Sequence, residues 1–190
     1  MLVHARMKRA VFAVALVAAS SGVASAGGYI GLGIGTSPAV GVDAPDTDVS
    51  GDGRSFRLLG GSRFGRFAIE GAVGKFDVRL ADNQRGQPFE TYQAQLAAKY
   101  HFPLDNKFEV FGKAGLHKLW FGNTNDRPDL DVEGSGWLLG GGFQYRFEGG
   151  IGSGALFVEY QYSRADVSGE RLDWGATSTR MWTLGVTIGF

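Results

Sequence analysis

Five cations and three carboxylates stand at alternating positions in short runs of this 190-residue chain. The cations are Arg57, Arg63, Lys99, Lys113 and Arg146; the carboxylates are Glu70, Glu109 and Glu159. Brought together, such residues can do one of three things. A lysine or histidine beside a carboxylate can move protons. Clustered carboxylates can hold a divalent cation. Opposite charges shut away from water can lock a structure by pairing. His101 and His117 lie in the same runs, and His4 stands near the N-terminus. A separate stretch, DAPDTDVSGDG over 43–53, gathers four aspartates.

The sharper of these chemistries lack their full residue sets. A hand-type calcium loop ends in a glutamate at its twelfth position. Counted from Asp46 that position is Arg57, so 43–53 is expected to be a solvated acidic loop. GLGIG at 31–35 is half a phosphate fingerprint, but no helix pattern follows it. There is no cysteine, which excludes disulfides and thiolate metal sites. Basic and acidic residues balance at 19 each, which gives no basis for nucleic-acid binding. No cofactor and no metal are expected. Apolar residues make up 44 %, and glycine is abundant at 31 residues.

The elements that must position the charges have a period of two throughout. Eight runs show it: 28–36, 55–64, 67–76, 91–102, 108–121, 136–147, 155–164 and 180–190. In 91–102, Tyr92, Ala94, Leu96, Ala98, Tyr100 and Phe102 oppose Thr91, Gln93, Gln95, Ala97, Lys99 and His101. The connections alternate in length. Long polar ones cover 37–54, 77–90, 122–135 and 165–180; short ones cover 65–66, 103–107 and 148–154. That is an up-and-down meander with all long loops at one end. Closed on itself, it is an all-β, eight-stranded antiparallel barrel.

A barrel can place its apolar face inside or outside, and several features choose the outside. Small residues crowd the polar face: Gly31, Gly33, Gly35, Gly61, Ala72, Gly74, Gly140, Gly142, Gly185 and Gly189. An eight-stranded interior is only wide enough for side chains to fill it, so it must mix small residues with a few long ones. The eight charged residues share that face and must pair there, since a buried unpaired ion costs several kcal/mol. Glu70, Lys113 and Glu159 are expected near mid-strand, and Arg63, Lys99, Glu109 and Arg146 toward the tight turns. Aromatic residues mark both rims of the apolar face. Phe64, Phe67, Phe102, Phe108, Phe147 and Phe190 flank the tight turns; Tyr92, Trp137, Tyr162 and Trp182 flank the long loops. Two rings about an aliphatic band are the girdles of a transmembrane barrel. Each run is close to the ~9–11 residues that a tilted membrane strand requires.

The N-terminus supplies a route to the membrane. MLVHARMKR is basic, Ala10–Ala19 is an apolar run, and Ala24-Ser25-Ala26 is a small-x-small cleavage pattern. The run is too short to span a bilayer as a helix, which takes ~20 residues. Residues 1–26 are therefore expected to be a signal peptide cleaved after Ala26, with 27–190 as the barrel domain; Met7 is an alternative start. Loss of Arg6, Lys8 and Arg9 leaves 16 basic against 19 acidic residues. A closed barrel then allows residence in lipid with every backbone group bonded.

FRLLGGSRFG with FAIEGAVG, VFGKAGL, FVEYQY and the terminal VTIGF resemble the small outer-membrane β-barrels that form the membrane domain of OmpA-like proteins. The resemblance covers the whole chain after residue 26. It implies a bacterial outer-membrane location and contact with outer-membrane lipid and lipopolysaccharide. It also implies recognition by the barrel assembly machinery through an alternating C-terminal strand ending in phenylalanine: Trp182, Leu184, Val186, Ile188 and Phe190. The sequence ends at the eighth run, so the peptidoglycan-binding domain of full-length OmpA proteins, and its tethering, are not expected. Lipid A deacylases of eight-stranded form use His-x-Ser; His101 is followed by Phe102 and Pro103, and His117 by Lys118 and Leu119. Palmitoyl-transferring barrels begin with an amphipathic helix, whereas the first run here follows Ala26 almost directly. His117 lies near Glu109 and Lys113 in sequence, but a lumen hydrogen-bonding role is expected of it rather than a catalytic one. The leading expectation is a non-enzymatic protein of structural and envelope-integrity role, with surface ligands met through 37–54, 77–90, 122–135 and 165–180. The alternatives are a narrow porin-like channel for small solutes or ions, and a lipid A-modifying enzyme.

Overall fold

The computed structural model describes residues 27–36, 38–42, 49–51, 53–80, 88–123, 132–149, 152–169 and 173–190. The segment expected to be a signal peptide, and most of the acidic stretch 43–53, lie outside them.

Among the described residues ten strands form one antiparallel sheet: β1 Gly27–Thr36, β2 Ala39–Val42, β3 Val49–Gly51, β4 Arg54–Phe64, β5 Phe67–Leu80, β6 Pro88–Pro103, β7 Phe108–Asn123, β8 Val132–Gly149, β9 Gly152–Gly169 and β10 Asp173–Gly189. β1 and β4 to β10 pair in chain order, and β10 returns to pair with β1 from Tyr29↔Gly189 to Gly35↔Thr183. The barrel of eight strands is closed, so strand β10 has no free edge.

The expected runs are the membrane-level cores of longer strands. Segments 77–80, 88–90, 122–123, 132–135, 165–169 and 173–179, expected to be loop, continue the ladder of β5 to β10. Inter-strand hydrogen bonds carry the strands on through these segments. Within the expected loop 37–54, two short strands add to the wall. β2 pairs with β10 from Thr177↔Val42 to Arg180↔Ala39, and β3 pairs with β5 from Val49↔Leu80 to Gly51↔Val78.

The tight turns have local causes. Phe64 and Phe67 pair directly across Gly65-Arg66, and Gly65 supplies the left-handed backbone at φ 63°. In Leu104–Lys107 the Asp105 carboxylate accepts the Lys107 and Phe108 N–H groups at 2.6 and 2.7 Å. Those two bonds, Phe108's foremost, hold its carboxyl below the usual carboxylate range.

Alternation places the two faces as the side-chain inventory requires. On the outer wall Leu116 is 69 % exposed and Leu32 62 %, while inside Glu70 and Glu159 are 1 % exposed. Exposed apolar residues follow all eight barrel strands, including Ile30, Leu58, Ile69, Leu96, Leu139, Phe143, Leu156 and Ile188. A water-soluble monomer rarely exposes an apolar patch beyond a few hundred Å², so this wall is built for hydrocarbon.

The interior is more apolar than the alternation rule indicates. Leu59, Ala72, Phe111 and Phe157 form a buried cluster with Tyr29 packed against it. Leu119, Phe121, Leu138 and Phe76 are also buried. Inward glycines give these side chains their space. A Cβ on Gly142 would lie 2.9 Å from the Phe111 ring, one on Gly140 2.9 Å from Lys113 Cε, and one on Gly61 2.7 Å from the Tyr29 hydroxyl; one on Gly185 would strike Phe157.

Candidate functional site

Strand β7 shows how the lumen is layered. From the tight-turn end its inward residues are Glu109, Phe111, Lys113, Gly115, His117, Leu119 and Phe121. Charge, ring, charge, imidazole and apolar side chains follow one another at two-residue steps.

The middle layer holds two carboxylates. Glu159 Oε1 lies 2.7 Å from Arg57 Nη2 and 2.7 Å from Lys113 Nζ. Glu70 Oε2 lies 3.3 Å from Lys99 Nζ and accepts the Tyr29 hydroxyl at 3.0 Å, and its Oε1 stands 3.8 Å from Lys113. Arg57 also donates to Gln161 Oε1 at 3.1 Å. Lys113 is the bridge between the two carboxylates, and all five charged side chains are nearly fully buried. Lys99, expected with the tight-turn group, belongs to this layer through Glu70. Its ammonium sits 3.8 Å from the centroid of the Phe111 ring, so it is held from one side by charge and from the other by a π face.

The tight-turn layer is built on one carboxylate. Arg63 grips Glu109 with two parallel bonds of 2.9 Å and donates Nε–H to Gly65 O at 2.8 Å. Gln144 donates to Glu109 at 2.7 Å, and Arg146 reaches it at 3.3 Å. His101 Nδ1 lies 3.2 Å from the same group. The imidazole beside Glu109 is thus His101. His117 is engaged elsewhere: one ring nitrogen meets Gln93 Nε2 at 3.3 Å and the other the Arg164 carbonyl at 3.3 Å. Both nitrogens have partners, which suits packing and leaves no lone pair for base catalysis. Around this layer a cavity of about 580 Å³ opens at the tight-turn end, lined by Arg63, Lys99, His101, Gln144, Arg146 and Phe190 among others.

All eight charged residues singled out in the sequence therefore face the lumen, in two groups at different depths. What sequence reasoning missed is the ring layer of Leu59, Phe111 and Phe157 with Tyr29 between them. Apolar doublets signal it: Leu58-Leu59, Val110-Phe111 and Leu156-Phe157 each put one residue on each face.

On the outer wall Phe64, Phe67, Phe102, Phe108 and Phe190 are exposed beside the tight turns, with Phe147 at 39 %. Tyr100 packs edge-on against Phe67 and Phe102 at 4.7 and 4.5 Å. Toward the long-loop end Trp137 packs on Tyr162 at 5.6 Å and Trp182 on Tyr160 at 5.0 Å, while Tyr92 donates to Glu90. Trp182, Leu184, Val186, Ile188 and Phe190 all point outward on or just past β10. Among the described residues no group of His, Asp and Glu is arranged to hold a metal ion, and no helix is long and apolar enough to cross a membrane; the wall crosses with strands.

The family model described as outer membrane protein beta-barrel domain matches residues 10–190. No curated protein is significantly similar in sequence. Among solved structures, Neisserial surface protein A shares 15 % identity over 86 % of this chain and 97 % of its own, at a TM-score of 0.68. The N-terminal β-barrel domain of Pseudomonas aeruginosa OprF shares 15 % over 86 % and 99 %, at 0.51. Ail of Yersinia pestis, in complex with the heparin analogue sucrose octasulfate, shares 16 % over 87 % and 99 %, at 0.54. At such identities these likenesses speak for the fold. With the family match across almost the whole sequence, the closed barrel and the inverted burial pattern lead to one conclusion: the chain belongs to the outer membrane protein beta-barrel domain family.

Proposed function

We propose that this is a non-enzymatic outer-membrane barrel with a sealed lumen, which supports the integrity of the envelope and presents its long loops to surface ligands. The observation that carries the reading is the filled interior. Arg57, Glu70, Lys99, Lys113 and Glu159 interlock in one layer, and Leu59, Phe111 and Phe157 pack beside it. A lumen built this way is costly to open, because separating buried partners exposes uncompensated charge. Ail, of the same fold, was solved in complex with a heparin analogue; this supports a ligand-meeting role for 37–54, 77–90, 122–135 and 165–180. Residues 1–26 act as the export signal, with cleavage after Ala26. The two sets of aromatic residues serve as interfacial girdles against lipid and lipopolysaccharide. The outward row of β10 is read by the assembly machinery. In planar bilayers the purified protein stays electrically silent; steady unitary currents would overturn the sealed-lumen reading.

A narrow channel for small solutes or ions is the second reading, favoured by two observations. Gln95 is buried with both amide atoms lacking a hydrogen-bond partner, and the cavity of about 580 Å³ enters the lumen from one end. Steady currents altered by Lys113→Met or Glu70→Gln distinguish it. Lipid A mass spectra from cells with and without the protein test the enzymatic alternative, and the expected result is an unchanged acyl pattern.

A further inference from the structure

We propose that the cavity at the tight-turn end is a binding site for a small soluble organic anion, one carboxylate or phosphate on a compact apolar body, entering from the periplasmic side. Short turns mark the periplasmic end of barrels of this kind, and the cavity opens there through the mouth of the lumen. A phospholipid in the surrounding leaflet meets the outer wall and would have to leave the bilayer to enter, so the ligand is a solute.

Two features select an anion. The first is charge. Arg63, Lys99 and Arg146 line the cavity, and the carboxylate that faces them, Glu109, is already surrounded by Arg63, Arg146, Gln144 and His101. In the neighbouring turns Arg66 and Lys107 are balanced by Asp105 and Glu148, so the excess of positive charge lies inside the mouth. The second is spare donor capacity. A guanidinium carries five N–H groups; Arg146 places one on Glu109, at 3.3 Å, and its side chain remains 43 % exposed. His101 lines the cavity as well, but with Nδ1–H turned toward Glu109 its Nε2 is a lone-pair acceptor and does not hold an anion.

Size and lining narrow the ligand class. About 580 Å³ falls within the ~300–1,000 Å³ of small-molecule sites and exceeds what a bare inorganic ion fills. Gly27, Gly28, Gly154 and Ala155 also line it and offer no charge. The anion head is therefore held by Arg146, with Arg63 and Lys99 behind, while the body lies against the uncharged small residues of the lining.

The test uses the full barrel in phosphate-free, uncharged detergent micelles, with benzoate as probe and benzyl alcohol as its neutral counterpart. NMR of the arginine Nε–H and histidine ring signals reads the binding. Saturable shifts of His101 and Arg146 with benzoate, absent with benzyl alcohol, are expected. Arg146→Gln weakens the affinity, by roughly tenfold for the loss of a charge-assisted contact. Lys118→Gln, on the outer wall near the other end, leaves it unchanged. Heat-modifiable gel migration verifies that each variant is folded, and the unmodified protein decides the matter if one is not. Linear, non-saturating shifts, an equal response to benzyl alcohol, or unchanged affinity in folded Arg146→Gln would each overturn the site.

Discussion

The lumen contains two carboxylate clusters of similar composition and opposite accessibility. Around Glu70 and Glu159 every cation is nearly fully buried, with Arg57 at 6 % and Lys113 at 0 % side-chain exposure. Around Glu109 the cations reach water, with Arg63 at 25 % and Arg146 at 43 %. The same residue types thus serve two purposes, and the dielectric around them decides which. In the middle, partners hold one another because nothing else can solvate them. At the mouth, water competes for the arginines, so their donors remain available.

The sharpest way to break this comparison is to remove one partner from the enclosed cluster. Glu159→Gln strands Arg57 and Lys113 and should cost about 3–5 kcal/mol, the usual penalty for orphaning a buried charge, read by urea unfolding in lipid vesicles. A triple change, Arg57→Met with Lys113→Met and Glu159→Leu, should cost less than that single one, because no uncompensated charge remains. A charge on the lipid side at similar depth is the next largest effect. Leu116→Arg, midway along β7, should cost ~2–4 kcal/mol, as cations at the bilayer midplane do. Glu109→Gln sharpens the contrast, since Arg63 and Arg146 can be rehydrated at the mouth. Its cost should be about 1–2 kcal/mol, below that of Glu159→Gln in the same assay.

The smallest effect lies outside the membrane, at Asp105. Its folded carboxyl is depressed by the Phe108 and Lys107 amides. Its contribution is therefore complete above the ordinary aspartate value of 3.8 and is lost as pH falls through the lower folded value. In Asp105→Asn that part of the acid-limb slope should disappear, with no change near neutral pH in its shape.

How much of this was legible beforehand differs from region to region. The wall was, because residues such as Leu96 and Gln95 must choose opposite faces and one face had to be small enough to fill a narrow barrel. The strand ends past the membrane were not. Segments such as 132–135, Val-Glu-Gly-Ser, show no alternation of apolar residues, and the backbone ladders with β7 and β9 make them strand. The ring layer was half-legible. Phe111 and Phe157 follow an outward residue of like character, and a period-two reading assigns such doublets to one face. The partner of Lys99 was not legible at all. Its position suggested Glu109, but a flexible four-carbon stem carries the ammonium across Phe111 to Glu70.

The account rests on which side of the wall meets hydrocarbon, and one residue of register decides that. Nitroxides attached at Leu96→Cys and at Gln95→Cys, in the folded protein reconstituted in lipid, report it through collision with oxygen and with a water-soluble nickel chelate. Position 96 should collide readily with oxygen and little with the chelate, while position 95 should be shielded from oxygen in lipid. Strong oxygen contact at 95 with chelate contact at 96 would contradict the account.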